Sequence, residues 1–297
     1  MRRFIFALFA IVPVTASSQA AAIPGRDLLI FPIGLTAEAP ALATQSGSGI
    51  WNPATTLLAD GNRWRIAAAS LSTPADVAVS AQLATAAATW KGTTIGVTLL
   101  RASVGNILRT DTDPQSIGDE IPYSTVVLSA SLARRFSPNF AIGIAYRNRT
   151  GTLDNVSRTA SSVDIGIVLD HLTALDLKLG AATFLAGGKP EVEHPSLLLA
   201  ADVRVVGTDT AKTVRAGYSV QSAKGLMTEN FAYATARYGI WEARGGPVRT
   251  EIFGGTNTRL RLGLAVHYAG YVVGVAREES AGGLAPTYQF SLSTLLR

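Results

Sequence analysis

Asp164, Asp176, Lys178, Asp202, Arg204, Arg215, Arg259 and Arg261 share one setting. Each stands in or beside a run of alternating apolar residues, on the phase that also carries glycine and serine. Charges placed this way have three possible uses: a self-compensating network, the lining of a selective passage, or acid–base chemistry. The last needs a nucleophile, a metal or a phosphate cradle nearby. His171, His194 and His267 are too widely spaced to match a metal-ligand pattern. No Gly-x-Ser-x-Gly elbow occurs, and stretches such as Gly143-Ile144-Ala145-Tyr146 lack the lysine of a phosphate loop. The chain has no cysteine, so thiolate nucleophiles, thiolate metal sites and disulfides are absent. The expectation is a protein that is not an enzyme and needs no cofactor or metal.

The runs that position these charges read as strands. In RLRLGLAVHY (259–268), Leu260, Leu262, Leu264, Val266 and Tyr268 fall on one phase; Arg259, Arg261, Gly263, Ala265 and His267 fall on the other. A strand sends alternate side chains to opposite faces. The same sorting separates Phe140, Ile142, Ile144 and Tyr146 from Ala141, Gly143, Ala145 and Arg147, and Tyr288, Phe290 and Leu292 from Gln289, Ser291 and Ser293. Fourteen such runs can be counted from Trp64 to Leu296, at 64–71, 76–90, 93–102, 123–135, 139–149, 162–170, 176–185, 196–207, 213–221, 231–239, 247–254, 258–268, 271–279 and 287–296. The second is alanine-rich and helical by propensity, but its first half alternates.

A β-sandwich also alternates. Here, however, the polar phase holds Gly, Ala and Ser more than Lys and Glu, and most runs last nine residues or more. Ordinary strands have about 5–6 residues, whereas a tilted membrane-crossing strand needs about 9–11. Inside hydrocarbon a sheet edge leaves N–H and C=O groups unpaired, so such a sheet must close. These features predict an all-β fold: an outer-membrane antiparallel β-barrel of about 14 strands with an N-terminal segment in its lumen. Trp64, Tyr123, Tyr146, Tyr218, Tyr238, Tyr268, Tyr271 and Tyr288 are candidates for its interfacial girdles.

The N-terminus, MRRFIFALFAIVPVTASSQA, has two arginines, an apolar run and small residues flanking Gln19. That is the order of a cleaved secretory signal, expected over 1–20. Residues 21–62 lack a clear period and read as a plug or hatch; 63–297 read as the barrel. Trp51-Asn52-Pro53-Ala54 is a turn signal, because proline fixes φ and asparagine bonds its local backbone. A formal charge of +5, falling to +3 without Arg2 and Arg3, is too mild and scattered for nucleic acid. With the N-terminus periplasmic, connections 103–122, 150–161, 186–195, 222–230 and 280–286 lie outside. Those at 136–138, 171–175, 208–212 and 269–270 lie inside, and 240–246 is a long inner one.

GSGIWNPATTLL (47–58), followed by strands of the type FSPNFAIGIAYRNRTG (136–151), resembles the outer-membrane barrels related to the FadL long-chain fatty-acid transporters, and in particular their PorV/PorQ-like branch. The resemblance implies a signal peptide, a hatch carrying Asn52-Pro53-Ala54 and about 14 strands in the outer membrane of a Gram-negative-type bacterium. It implies outer-membrane lipid and a hydrophobic small molecule as partners, or, in the PorV/PorQ-like branch, a secreted or secretion-system protein.

Overall fold

The computed structural model describes residues 23–29, 36–58, 63–75, 77–110, 117–187, 196–209, 212–223, 227–252, 255–279 and 286–296. The signal expected over 1–20, and residues 30–35 and 59–62 of the expected hatch, lie outside these residues.

The strands are β1 (Trp64–Ser72), β2 (Val79–Trp90), β3 (Thr93–Val104), β4 (Leu108–Thr110), β5 (Ile117–Glu120), β6 (Tyr123–Ser137), β7 (Phe140–Leu153) and β8 (Val156–Leu169). They continue as β9 (Lys178–Gly187), β10 (Ser196–Asp209), β11 (Lys212–Ala223), β12 (Met227–Tyr238), β13 (Trp241–Ile252), β14 (Gly255–Tyr268), β15 (Tyr271–Glu278) and β16 (Thr287–Leu296). Fourteen of them, all but β4 and β5, form one closed antiparallel barrel in which each strand pairs with its sequence neighbours. Closure is made by β1 against β16, with Trp64 opposite Leu296. We call the end that carries this pair the near rim and the opposite end the far rim.

The alternation sets the inside and the outside. Ile144 and Tyr146 are 49% and 55% exposed, while Ala145 between them is 3% exposed. The outer face of the wall is therefore a continuous apolar surface, on which Val97, Leu99, Leu128, Val163, Leu264 and Phe290 are all exposed. A patch of that extent is unstable against water and suited to acyl chains. This is the wall of an outer-membrane barrel, in which every strand has a neighbour on both sides and no edge is left open to hydrocarbon.

Two expected connections prove to be strand. The chain at 150–161 is the far half of a long hairpin, with Leu153 facing Val156 across a two-residue turn. Ser and Thr at 150–162 hid this, because above the hydrocarbon a strand has no need of an apolar phase. Residues 240–246 are also strand, since β13 begins at Trp241. Gly245-Gly246-Pro247 reads locally as a turn. In the barrel its pairing with β14 is unbroken, and only its pairing with β12 is interrupted, between Phe231↔Val248 and Ala234↔Gly245. Pro247 has no N–H to donate to that ladder. The 103–122 connection carries the small β4–β5 hairpin, which lacks apolar alternation and was not expected.

Candidate functional site

Residues 36–58 pack against the inward face of the wall. Their small side chains allow this: Ala37, Ala39, Ala41 and Ala43 are buried, as are Ile50, Trp51 and Ala54. Asn52 is fully buried and caps the short 3-10 turn Pro53–Thr56, its Oδ1 accepting from Ala54 N at 3.0 Å. Its Nδ2 donates to Ala41 O at 2.6 Å and to Ile167 O of the wall at 3.2 Å. Pro53 begins the turn, where a missing N–H costs nothing.

The wall receives this turn in a trough of glycine. Gly143 of β7 lies opposite Gly166 of β8. A Cβ on Gly143 would stand 2.2 Å from the Pro53 carbonyl carbon, and one on Gly166 would stand 1.9 Å from Asn52 Oδ1. A Cβ on Gly180 of β9 would stand 2.3 Å from Ala41 O. Glycine on the inward phase of these three strands is thus a fit to backbone, not merely a consequence of curvature.

Inward arginines hold the same segment. Arg65 of β1 donates to Ser48 Oγ, to Thr55 O at 3.5 Å and to Leu57 O at 3.4 Å. Arg147 donates to Ile50 O and pairs with Asp164 at 2.9 Å. Arg149 reaches Pro24 O at 2.7 Å. Arg244 pairs with Glu38 at 2.9 Å and with Glu242. The Glu38 carboxylate also accepts from Thr44 N at 3.0 Å, Thr44 Oγ1 at 2.7 Å and Gln45 N at 3.0 Å. Charge-assisted bonds of this kind are about twice as strong as neutral ones.

The eight charges singled out in the sequence fall into three groups. Asp164 is fully buried beside Arg147, and Ser162 donates to it at 2.9 Å. Asp176, Lys178, Asp202, Arg204 and Arg215 line a cavity of about 410 Å³ toward the near rim. There Arg215 bonds Asp202 and donates to Asp176 Oδ2 at 2.6 Å. Asp176 is not a strand residue, as the phase reading had it, but ends the connection before β9, tied to His171 as well as Arg215. Arg259 and Arg261 lie toward the far rim, closed into a ring with Glu229 and Glu278. Trp51, Asn52, Pro53 and Ala54 are all buried. Of the candidate girdle residues, Tyr123 instead turns inward, its hydroxyl accepting from Gly25 N at 3.3 Å.

Burial opposes ionisation of Asp176, but the Arg215 hydrogen bond and charge outweigh it and hold the carboxyl below its ordinary value. A carboxyl whose folded pKa is depressed stabilises the fold above its unfolded pKa of about 4, and that contribution is lost as pH falls through the folded value. Asp176→Asn should therefore flatten the acid limb of the stability profile, measured by urea unfolding between about pH 6 and pH 3, and leave its alkaline limb unchanged.

The sequence reading passed over Glu38, Arg65, Arg149, Glu229, Arg244 and Glu278. Glu229 and Arg244 lie in stretches taken as connections, where no phase could be assigned. Arg65 stands on the inward phase of the first run and was legible there. Among the described residues no group of three or more His, Cys, Asp or Glu is placed to hold a metal.

This barrel has solved counterparts. It superposes on the toluene transporter TodX of Pseudomonas putida with a TM-score of 0.60 and 11% identity, over 88% of this chain and 98% of that chain. The two chains share one fold. A Pseudomonas aeruginosa FadL homologue superposes with a TM-score of 0.52 and 11% identity, over 89% of this chain and 96% of that chain. The Ralstonia pickettii toluene transporter TbuX gives 0.56 and 12%, over 89% of this chain and 99% of that chain. No protein-family model and no curated protein sequence matches the chain. The shared fold is therefore carried by strand order and wall geometry on a largely different sequence.

Proposed function

We propose that this chain is exported by its segment 1–20 to the outer membrane of a Gram-negative-type bacterium and there binds or passes an apolar small molecule. Residues 21–62 act as a hatch within the barrel 63–297, and the inward charges line and stiffen the passage around it. The observation that carries this reading is the fold shared over nearly the whole chain with toluene transporters and with the monoaromatic hydrocarbon channel CymD. The near-rim cavity supports it: Leu42, Ala54, Leu57, Ala141 and Val168 offer an apolar side to a small guest, opposite the charged one. Passage is by diffusion. The guest replaces contacts of the hatch, which shifts against the glycine trough and returns.

A second reading, an accessory barrel of the PorV/PorQ-like kind serving a protein-secretion system, is favoured by the arginine contacts that fix residues 48–57 to the wall and by the two-residue turn at Asp154-Asn155 on the far rim.

The chain has no cysteine, so a disulfide can be added cleanly. Thr36 Oγ1 lies 2.6 Å from Ser291 Oγ, and Thr56 Oγ1 lies 3.1 Å from Ser131 Oγ. Thr36→Cys/Ser291→Cys with Thr56→Cys/Ser131→Cys would tie the segment to the wall at two points, since sulfurs need approach only to about 2.05 Å. Toluene uptake into vesicles holding the oxidised variant should fall to that of protein-free vesicles and return on reduction. Uptake unchanged by the lock overturns the hatch. A wild-type barrel that passes no hydrocarbon but co-purifies from outer membranes with a secreted protein replaces transport by the accessory role.

A further inference from the structure

Toward the near rim the outer face changes from aliphatic to aromatic. Trp64, Trp90, Phe136, Tyr238, Trp241, Tyr268 and Tyr271 stand there, 50–71% exposed, each at or next to the end of its strand. Three of them carry a cation on the ring. Lys91 Nζ is 4.7 Å from the Trp90 centroid, Lys212 Nζ is 5.3 Å from that of Tyr238, and the Arg134 guanidinium is 6.0 Å from that of Phe136. The ion pairs of the described residues give Lys91 and Arg134 no carboxylate, whereas Lys212 faces Asp209 across the β10–β11 turn. Three near-rim acids with described side chains are engaged elsewhere: Asp170 by Arg135, Asp176 by Arg215 and Glu242 by Arg244, with side chains only 18%, 9% and 7% exposed.

The far rim is built differently. Three of its cations sit beside exposed acids: Arg109–Asp154 at 2.5 Å, Arg249–Glu251 at 3.5 Å and Arg277–Glu279 at 3.7 Å. Three exposed cations of the far rim are thus neutralised by the chain's own acids, while the near rim presents cations propped on aromatic rings, at the level where a lipid's acyl chains give way to its headgroup.

We propose that the near rim binds the phosphates of anionic glycerophospholipids, with Lys91 and Arg134 as its contacts. Each ring packs on the upper acyl segment and holds its cation at the height of the phosphate, where the missing carboxylate is supplied by lipid. This rests on the reading of the chain as a membrane-spanning barrel, and it directs the near rim toward the phospholipid leaflet.

The test uses the full chain, refolded in detergent and offered equal phosphatidylglycerol and phosphatidylcholine, with retained lipid counted by native mass spectrometry. Wild type should retain phosphatidylglycerol preferentially. The near-rim neutral variant, Lys91→Gln/Arg134→Gln, should lower that preference roughly fivefold for each cation removed, equivalent to about 1 kcal/mol per cation near an anionic surface. The charge-keeping variant Lys91→Arg/Arg134→Lys should retain it, as should the far-rim set Arg109→Gln, Arg249→Gln and Arg277→Gln. Undiminished preference in the near-rim neutral variant, or equal loss in the far-rim one, overturns the proposal. A wild-type chain that folds in water and takes up no lipid of either kind instead overturns the membrane reading beneath it.

Discussion

An Arg261→Met variant should unfold at a much lower urea concentration than the wild type, with a loss of about 3–5 kcal/mol. Arg261 is 2% exposed. Its Nε bonds Glu278 at 2.5 Å, its Nη2 bonds Glu229 at 3.0 Å, and its guanidinium lies 4.9 Å over the Phe231 ring. Arg259 bonds the other oxygens of the same two carboxylates, at 2.5 Å to Glu278 and 2.7 Å to Glu229. The four charges sum to zero, so methionine at 261 leaves one buried carboxylate uncompensated. Desolvation of that charge, more than the lost bonds, sets the size of the effect. Adding Glu278→Gln rebalances the ring and should recover most of the loss. Arg249→Gln, at an exposed rim pair, should change stability by about 0.5 kcal/mol or less. Equal effects at 249 and 261, or no rescue by the second substitution, would show that the ring does not act as a unit.

The second large effect is expected in the glycine trough. Gly143→Ala and Gly166→Ala each push a Cβ into backbone or a fixed amide of the Asn52-Pro53 turn, at 2.2 Å and 1.9 Å. The barrel cannot yield there, because Gly143 and Gly166 pair with each other in an unbroken ladder. The segment must move instead, at a cost of about 1–3 kcal/mol per site. Combining the two should release the turn from the wall while the barrel stays folded. Hydrogen exchange would rise at Ala54 N, now held by Asn52 Oδ1. Gly105→Ala is the control: its nearest neighbour is Glu120 Oε1 at 3.7 Å, an ordinary contact, and it should be neutral. Unchanged protection of Ala54 N in the double variant would mean that the trough does not hold the segment.

The wall was legible in the sequence because a strand's side-chain period is two and lipid tolerates only one kind of residue on the outer phase. All fourteen runs are barrel strands, and Arg261, Asp164 and Asp202 are buried. Legibility failed where that constraint lapses. The polar far half of the β7–β8 hairpin lies beyond the hydrocarbon, and Gly245-Gly246-Pro247 keeps one ladder while losing the other. The segment at 36–58 has no period at all, so its Asn52-Pro53 turn could be recognised as a turn but not assigned a neighbour. What only the tertiary structure decided is who meets whom across the interior. Glu38 and Arg244, or Asn52 and Gly166, are brought together by closure of the wall around the segment, and no local pattern encodes a contact made that way.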